Sequence, residues 1–565
     1  MSSGPPTPNA ASLKVPDQVT YLPEGWARLS GVAVRRTDDG WQVQVFWGRL
    51  LLALATLLGG GWVAAAGAAY CFIKYERGFT GVQYTDMLLL PWREEAYQQA
   101  RGDFFIKTAK EELAAGKPAR AVYDLEIGVS KSPGNVEGRV LLAQIFTLNR
   151  RADRAQRLLL DGLPLHRNDQ SYLNSLFSFL LQQQQDQIVT ALAHSLLPPQ
   201  TVLNQRNQLI ALADAQACFY RGNYDQAEDR ITEYQLAGFR DGRLLTIRLE
   251  WERGERGVAL TQLRELGQMP ELRDDSEIYS LTVSYLREEG RETEARSESL
   301  LRQLSNPANP YPRIDLLYAR QKDGDTQGVK DGVESIFRDF AQNGPALVAL
   351  CDFAANSGDS ALARRIYEHC KDDPTGKLNW EDPALMTVEA EVVAKNYPAA
   401  LDLARLLLAA NPDWAKRYNA IFNGLQAIAS FGLGDEAAGQ TFLANFLSHA
   451  NMRAENFVAV SNRLLAIGAR GPAREMLAQA VKADHLNQSA LTNLIKLDVE
   501  LGNADDLAVE IPRLIGMRKP SAAILQTAFD KLGSDIFLFN PERTSLLDRV
   551  RTALNAAKAR DVAHL

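Results

Sequence analysis

Ala215-Gln-Ala-Cys-Phe-Tyr-Arg-Gly222-Asn-Tyr-Asp-Gln-Ala227-Glu-Asp-Arg-Ile231-Thr-Glu-Tyr234 holds the pattern from which most of the chain is read. Its small and apolar residues recur every three or four positions, the period of an amphipathic helix. Gly222 interrupts that period, and the period then resumes. Glycine enters the left-handed backbone region without a Cβ clash, so it closes one helix and turns the chain. The stretch therefore reads as two antiparallel helices. Ala227 is small because the helices cross closely there.

The same signal recurs at intervals of about 34 residues, at Ala121, Ala155, Val189, Ala227, Ala259, Ala295, Val329, Ala363, Ala400, Gly439, Ala473 and Leu507. Five residues before these anchors stand Gly116, Gly222, Gly254, Gly290, Gly324, Gly358, Gly434, Gly468 and Gly502. With 39 glycines in 565 residues, chance places about one glycine in that column, so the repetition is real. Twelve residues before the anchors the column runs from Ala109 and Ala143 to Ile495. Four residues after, it runs from Leu125 and Leu159 to Ile511, and almost every member is small or apolar. Pro133, Pro307, Pro374 and Pro412 lie where second helices are expected to stop.

A small residue, a glycine turn, an alanine, a bulky residue and then a proline together resemble the tetratricopeptide repeat. The best units are Ala215 to Tyr234 and Val388 to Pro412, the latter with Asn396-Tyr397-Pro398 and Ala400. The resemblance covers roughly residues 97–520. It implies an all-α solenoid of about twelve hairpins, each covering its neighbour's apolar side, with an extended concave face for proteins or peptides. The units around Gln182-Gln183-Gln184-Gln185 and Gly439 depart from the pattern. Over 521–565, Ser521 to Leu532 and Pro541 to Lys558 read as capping helices, with Asn540 as N-cap of the second.

Outside the repeats, Leu50 to Ile73 carries no charge and is bounded by Arg49 and Lys74. At 1.5 Å per residue it reaches about 36 Å, enough for a hydrocarbon core of about 30 Å. Phe46 and Trp47 before it, and Tyr70, Phe72 and Tyr75 at its far end, suit the two interfaces. Residues 45–75 are thus expected to be a single transmembrane anchor. Lys14, Arg28, Arg35, Arg36 and Arg49 outweigh Lys74, Arg77 and Arg93, which favours a cytoplasmic N-terminus. The Gly60/Ala64 face offers close helix approach and self-association. Residues 1–44, rich in proline at the start, read as a flexible tail, with Val32 to Arg36 and Trp41 to Phe46 as a small hairpin beside the membrane.

Composition limits the function. Hydrophobic residues make up 46% and charged residues 23%, which suits a folded chain. Mean hydropathy is −0.22, against a polytopic membrane protein. A net charge of −7 argues against a nucleic-acid partner. No nucleophile, phosphate-loop or zinc signature is present, so no enzyme activity, metal or cofactor is expected. Asp323 to Glu334 approaches the ligand order of a calcium loop, but Gln327 and Lys330 do not fit it, and Gly324 and Val329 fit the repeat. Cys351 and Cys370 fall on opposite helices of one unit, in inward columns, within reach of a disulfide.

Two functions stand at this point. One is a membrane-anchored scaffold for proteins or peptides, by analogy with bacterial envelope-assembly and secretion factors, with the repeats periplasmic beyond the inner membrane. The other is a carrier of a polymer or small ligand, glycan or lipid, for a partner enzyme. The carrier would line the concave face with Tyr172, Phe219, Trp251, Tyr285, Phe353 and Phe431.

Overall fold

The computed structural model describes residues 32–37, 40–273, 275–305, 307–410, 412–448 and 452–562. The N-terminal part of the expected tail, residues 1–31, lies outside them. Apart from one pair of strands, the described residues are all-α.

All twelve anchors stand fourth in a helix, from Ala121 in Pro118–Lys131 to Leu507 in Ala504–Ile515. Each such helix follows another across a short turn, giving twelve helical hairpins. Every anchor except Val329 is buried, as is every residue twelve positions earlier. The turn residue, five before the anchor, has φ between +54° and +86° in all twelve hairpins. Nine of these are the glycine column; the others are Arg150, Gln184 and Lys395. At Gly222 the N–H of Asn223 bonds the Cys218 carbonyl at 2.9 Å and that of Gly222 bonds the Phe219 carbonyl at 3.0 Å. This paired closure satisfies carbonyls the helix end leaves free. Gln185 to Leu180 and Gln184 to Leu181 repeat it at 2.8 and 3.1 Å without glycine.

The residue after the turn often starts the next helix. In Gly324-Asp325, Gly358-Asp359 and Gly434-Asp435 the aspartate accepts the N–H of Gly328, Leu362 or Ala438 at 2.8–3.0 Å. Glycine thus ends one helix and aspartate caps the other, two conformational needs met by two adjacent residues. The deviant anchor Gly439 has a local cause. A Cβ there would sit 2.9 Å from the Phe431 ring, so the bulky ring of the first helix takes the space alanine fills elsewhere.

The chain divides into two compact units, Met1–Leu176 and Phe177–Leu565. In the first, strands Val32–Thr37 and Gly40–Val45 pair antiparallel, Val32 opposite Val45. The apolar helix Trp47–Cys71 runs on through a π-helical turn, Phe72–Glu76. Together they are long and apolar enough to cross a membrane, and almost all of that surface is exposed. A short helix, Tyr84–Leu88, packs against it, followed by Leu90–Ala114, the first helix of the first hairpin.

In the second unit the hairpins follow one another to helix Ala504–Ile515. Ala522–Leu532 and Arg543–Val562 then bury Leu525, Leu546, Val550 and Leu554, closing the apolar end of the array. Two sequence expectations are corrected. The last helix begins at Arg543, not Pro541: the Asn540 side chain accepts the Glu542 N–H at 2.9 Å and holds residues 540–542 in a turn. Pro412 opens a helix, Pro412–Gly432, because the first helical positions need no N–H donor.

Candidate functional site

The six aromatic candidates are placed by the hairpins themselves. Tyr172, Phe219, Trp251, Tyr285 and Phe353 are buried, and Phe431 is partly buried against the core. Tyr172 donates its hydroxyl to the Leu159 carbonyl, and burial pushes its phenol up to about 12. Trp251 and Tyr285 stack at 3.8 Å, and the indole N–H donates to Glu288 at 3.2 Å. Phe353 meets the edge of Tyr318 at 5.0 Å. Tyr172, Trp251, Tyr285 and Phe353 thus pack against a neighbouring hairpin, while Phe431 lies over Gly439 of its own.

The calcium-like segment is an ordinary turn. Asp325 caps helix Thr326–Asp339, Asp323 pairs with Arg296, and Gln327 donates to Asp331 at 2.8 Å. Cys351 and Cys370 are both buried free thiols, with no disulfide between them. Burial drives the Cys351 thiol far up and that of Cys370 up to about 11, which keeps both protonated and unreactive.

The geometry that stands apart lies at the other deviant unit, within Phe177–Leu565. The segment Gly516–Pro520, between the last hairpin and the closing helices, docks on residues 181–252. Asp186, with its side chain 1% exposed, is gripped by two guanidinium groups. Arg221 Nε donates to it at 2.7 Å and Arg518 Nε at 2.9 Å. Arg518 also donates to the Leu181 carbonyl at 2.7 Å, at the end of helix Gln170–Gln182, and lies 4.0 Å over the Tyr220 ring. Cations are favoured at that negative helix end and over an aromatic face.

Neighbouring bonds complete the contact. Arg221 donates to the Gly516 carbonyl at 2.9 Å and to the Gln184 carbonyl at 3.1 Å, and the Gln184 side chain donates to Leu486 at 3.3 Å. Lys519, at φ +39°, sets its ammonium 4.1 Å from the Phe219 ring and 3.5 Å from Glu252. Tyr224 holds that carboxylate with a 2.8 Å hydrogen bond. A cleft of about 570 Å³ opens alongside, lined in part by Arg221, Met517, Lys519, Arg549 and Thr552. A buried carboxylate, backbone carbonyls and ring faces thus hold the chain's own Arg518 and Lys519. Sequence reasoning missed this site. Its one sequence signal was the unit around Gln182–Gln185, whose turn lacks glycine.

A second charged cluster joins helices Arg470–Ala483 and Gln488–Leu501 to Ala504–Ile515, the helix leading to that segment. Arg474 binds Asp498 and reaches Asp506 at 2.5 Å, while the Asn503 amide donates to Asp498 at 2.6 Å. Glu510 lies beside them. Burial, reinforced by the Asp498 carboxylate, pushes its carboxyl up to about 8. Among the described residues no group of three or more His, Cys, Asp or Glu side chains could hold a metal ion.

Residues 112–176 match the tetratricopeptide repeat family model. Among solved structures the chain is similar to a tetratricopeptide repeat protein from Parabacteroides merdae, with 14% identity over 45% of this chain and 97% of that one, and a TM-score of 0.28. It is also similar to a chain of the APC/C hetero-tetramer Cut9–Hcn1, with 13% identity over 82% of this chain and 87% of that one, and a TM-score of 0.27. No curated protein matches it. Over residues 112–176 the hairpin is of tetratricopeptide type.

Proposed function

We propose that this protein is a membrane-tethered scaffold: helix Trp47–Cys71 anchors it, and the hairpin array holds protein or peptide partners. One observation carries the reading. Among the described residues the same hairpin, with a left-handed turn and, but for Val329, the same buried columns, recurs twelve times after one apolar helix. Repetition of this kind builds extended recognition surface rather than one reaction centre. The docked segment Gly516–Pro520 supports it, since the array there already holds a short basic stretch of chain through carboxylate, carbonyl and ring contacts. The excess of basic residues before the helix favours a cytoplasmic N-terminus, with the array across the membrane.

The test is crosslinking of the full-length protein in its native membrane, followed by purification and mapping of the crosslinked sites. Protein partners attached to residues of the hairpins support the scaffold. Recovery of a glycan or lipid alone would replace it with the carrier reading. Protease treatment of sealed vesicles settles the orientation: digestion of the array only from the cytoplasmic side would reverse it.

A further inference from the structure

The first two hairpins hold a charge without a counter-charge. Arg139 stands near the start of helix Val136–Leu148, the first helix of the second hairpin, and is only 6% exposed. Its guanidinium donates to the Leu158 carbonyl at 2.8 Å and to the Pro133 carbonyl at 3.1 Å, both neutral acceptors. Its Nε–H is buried with no partner, and among the described residues no carboxylate pairs with it. A buried cation without a counter-charge is costly. The packing nonetheless makes room for this one. A Cβ on Gly162 would lie 2.6 Å from Arg139 Cδ and 2.4 Å from the Tyr172 hydroxyl, so glycine lets the arginine lie against helix Ala152–His166. Glycine inside a helix is itself destabilising relative to alanine.

Arg139 lines a cleft of about 680 Å³ between Pro118–Lys131 and Ala152–His166, the second helices of the first two hairpins. Leu142 and Phe146, from the helix beneath, give the cleft an apolar floor. Arg154 and Arg157 on its walls are exposed, as are Glu126 and Asp161, and Arg157 is already paired with Asp153 at 2.9 Å. Arg139 is thus the buried cation of the cleft. A planar guanidinium matches a carboxylate through two parallel bonds. The carboxylates of Glu126 and Asp161 disfavour a dianion such as phosphate, whose second charge they would repel. The cleft is far larger than one carboxylate group and its floor is apolar, which suits an acid carried on a chain beside an apolar residue.

We infer that this cleft receives an aspartate or glutamate side chain of a protein partner, its carboxylate on Arg139 and an adjoining apolar side chain against Leu142 and Phe146. This contact rests on the scaffold reading, and the test separates the two. The full-length protein in its native membrane carries Glu126→p-benzoylphenylalanine at the exposed wall of the cleft, alone or with one of two further substitutions. Arg139→Lys keeps the charge and removes the fork. Ser130→Glu, at an exposed position lining the same cleft, offers Arg139 an internal carboxylate and leaves its carbonyl bonds in place. Lysine crosslinking is run in parallel on each form. The expected result is a protein adduct at 126 that maps to a segment containing Asp or Glu and falls several-fold in both variants, while adducts elsewhere on the hairpins persist. Ser130→Glu decides where Arg139→Lys fails to fold. A synthetic peptide of the mapped segment should bind the purified protein about tenfold or more tighter than the same peptide with that carboxylate replaced by its amide. A partner attached through lysines with no adduct at 126, an adduct at 126 unchanged in the variants, or equal binding of the two peptides overturns the carboxylate site and leaves the scaffold standing. No protein partner by either crosslinking route removes both.

Discussion

The third and fourth hairpins, Gln170–Leu196 and Gln205–Glu233, are neighbours in sequence and opposites in legibility. The fourth carries glycine at the turn, alanine at the anchor and an apolar column around them. The third has Gln184 and Val189 in those places, yet its turn bends the same way, at φ +54° against +80°. Its anchor is as fully buried. The lesson is that the hairpin is held by its packed columns, and that the residues released from the pattern in the third unit serve another contact. Gln184, Asp186 and Leu181 bind Arg221, Arg518 and Leu486 instead.

The largest expected effect comes from breaking that contact. Asp186→Ala leaves two guanidinium groups facing a buried void, and removal of one partner from a buried ion pair costs about 3–5 kcal/mol. Urea unfolding of the full-length protein in detergent should show a loss of that order, with Arg518→Ala somewhat less because Arg221 still pairs Asp186. The double variant should lose clearly less than the sum. Additive losses would mean that the segment Gly516–Pro520 and the third hairpin are not energetically linked.

Next in size is the anchor of the regular hairpin. Ala227 is fully buried where the two helices cross, and Ala227→Leu forces three more carbons into that crossing. A loss of about 1–3 kcal/mol is expected from overpacking. Val189→Leu in the third hairpin, whose crossing already admits a larger residue, should cost distinctly less in the same denaturation series. Equal losses would show that the two crossings are equally tight and that the valine is incidental.

The cluster at Glu510 tests the helix that leads to the docked segment. Burial holds this carboxyl protonated up to about 8, against 4.5 in an ordinary glutamate. The folded chain therefore binds a proton that the unfolded chain has released between those values. Its contribution to stability is fully present below about 4.5 and is lost as pH rises toward 8. Melting curves across that range should show this decline, and Glu510→Gln should flatten it. An unchanged slope in the variant would assign the decline to other groups.

Much of this was open to reading from residues alone. The period set the helices, because burying small and apolar residues on one face is the only way a single hairpin gains stability, and the anchors fell at one helical position throughout. The turn torsion followed from glycine, whose column is the signature of a left-handed residue. What stayed hidden was non-local. No period relates Asp186 to Arg518, 332 residues away; only the fold brings them together. The packing of Tyr84–Leu88 against the apolar helix, where Tyr84 donates to the Val63 carbonyl, was hidden for the same reason. Aromatic side chains are ambiguous in another way. On a first helix a ring that seals the next hairpin and one that receives a ligand have the same spacing, and burial alone tells them apart.

The smallest effects sharpen the comparison most finely. Lys395, in the ninth hairpin, is an exposed turn residue at φ +60° with no docking role. Lys395→Gly removes left-handed strain of about 1–2 kcal/mol and adds back part of it as unfolded-chain entropy, for a net gain of several tenths of a kcal/mol. Gly222→Ala should lose about as much at the matching position of the fourth hairpin. Gln184→Gly relieves the same strain but deletes the side chain that donates to Leu486. Its gain should therefore be smaller than that of Lys395→Gly, and limited proteolysis near residues 516–520 should quicken in it alone. If both substitutions stabilise equally and the cutting rate is unchanged, glutamine at 184 is only drift from the repeat, and the third hairpin differs from the fourth for no reason connected with its partner segment.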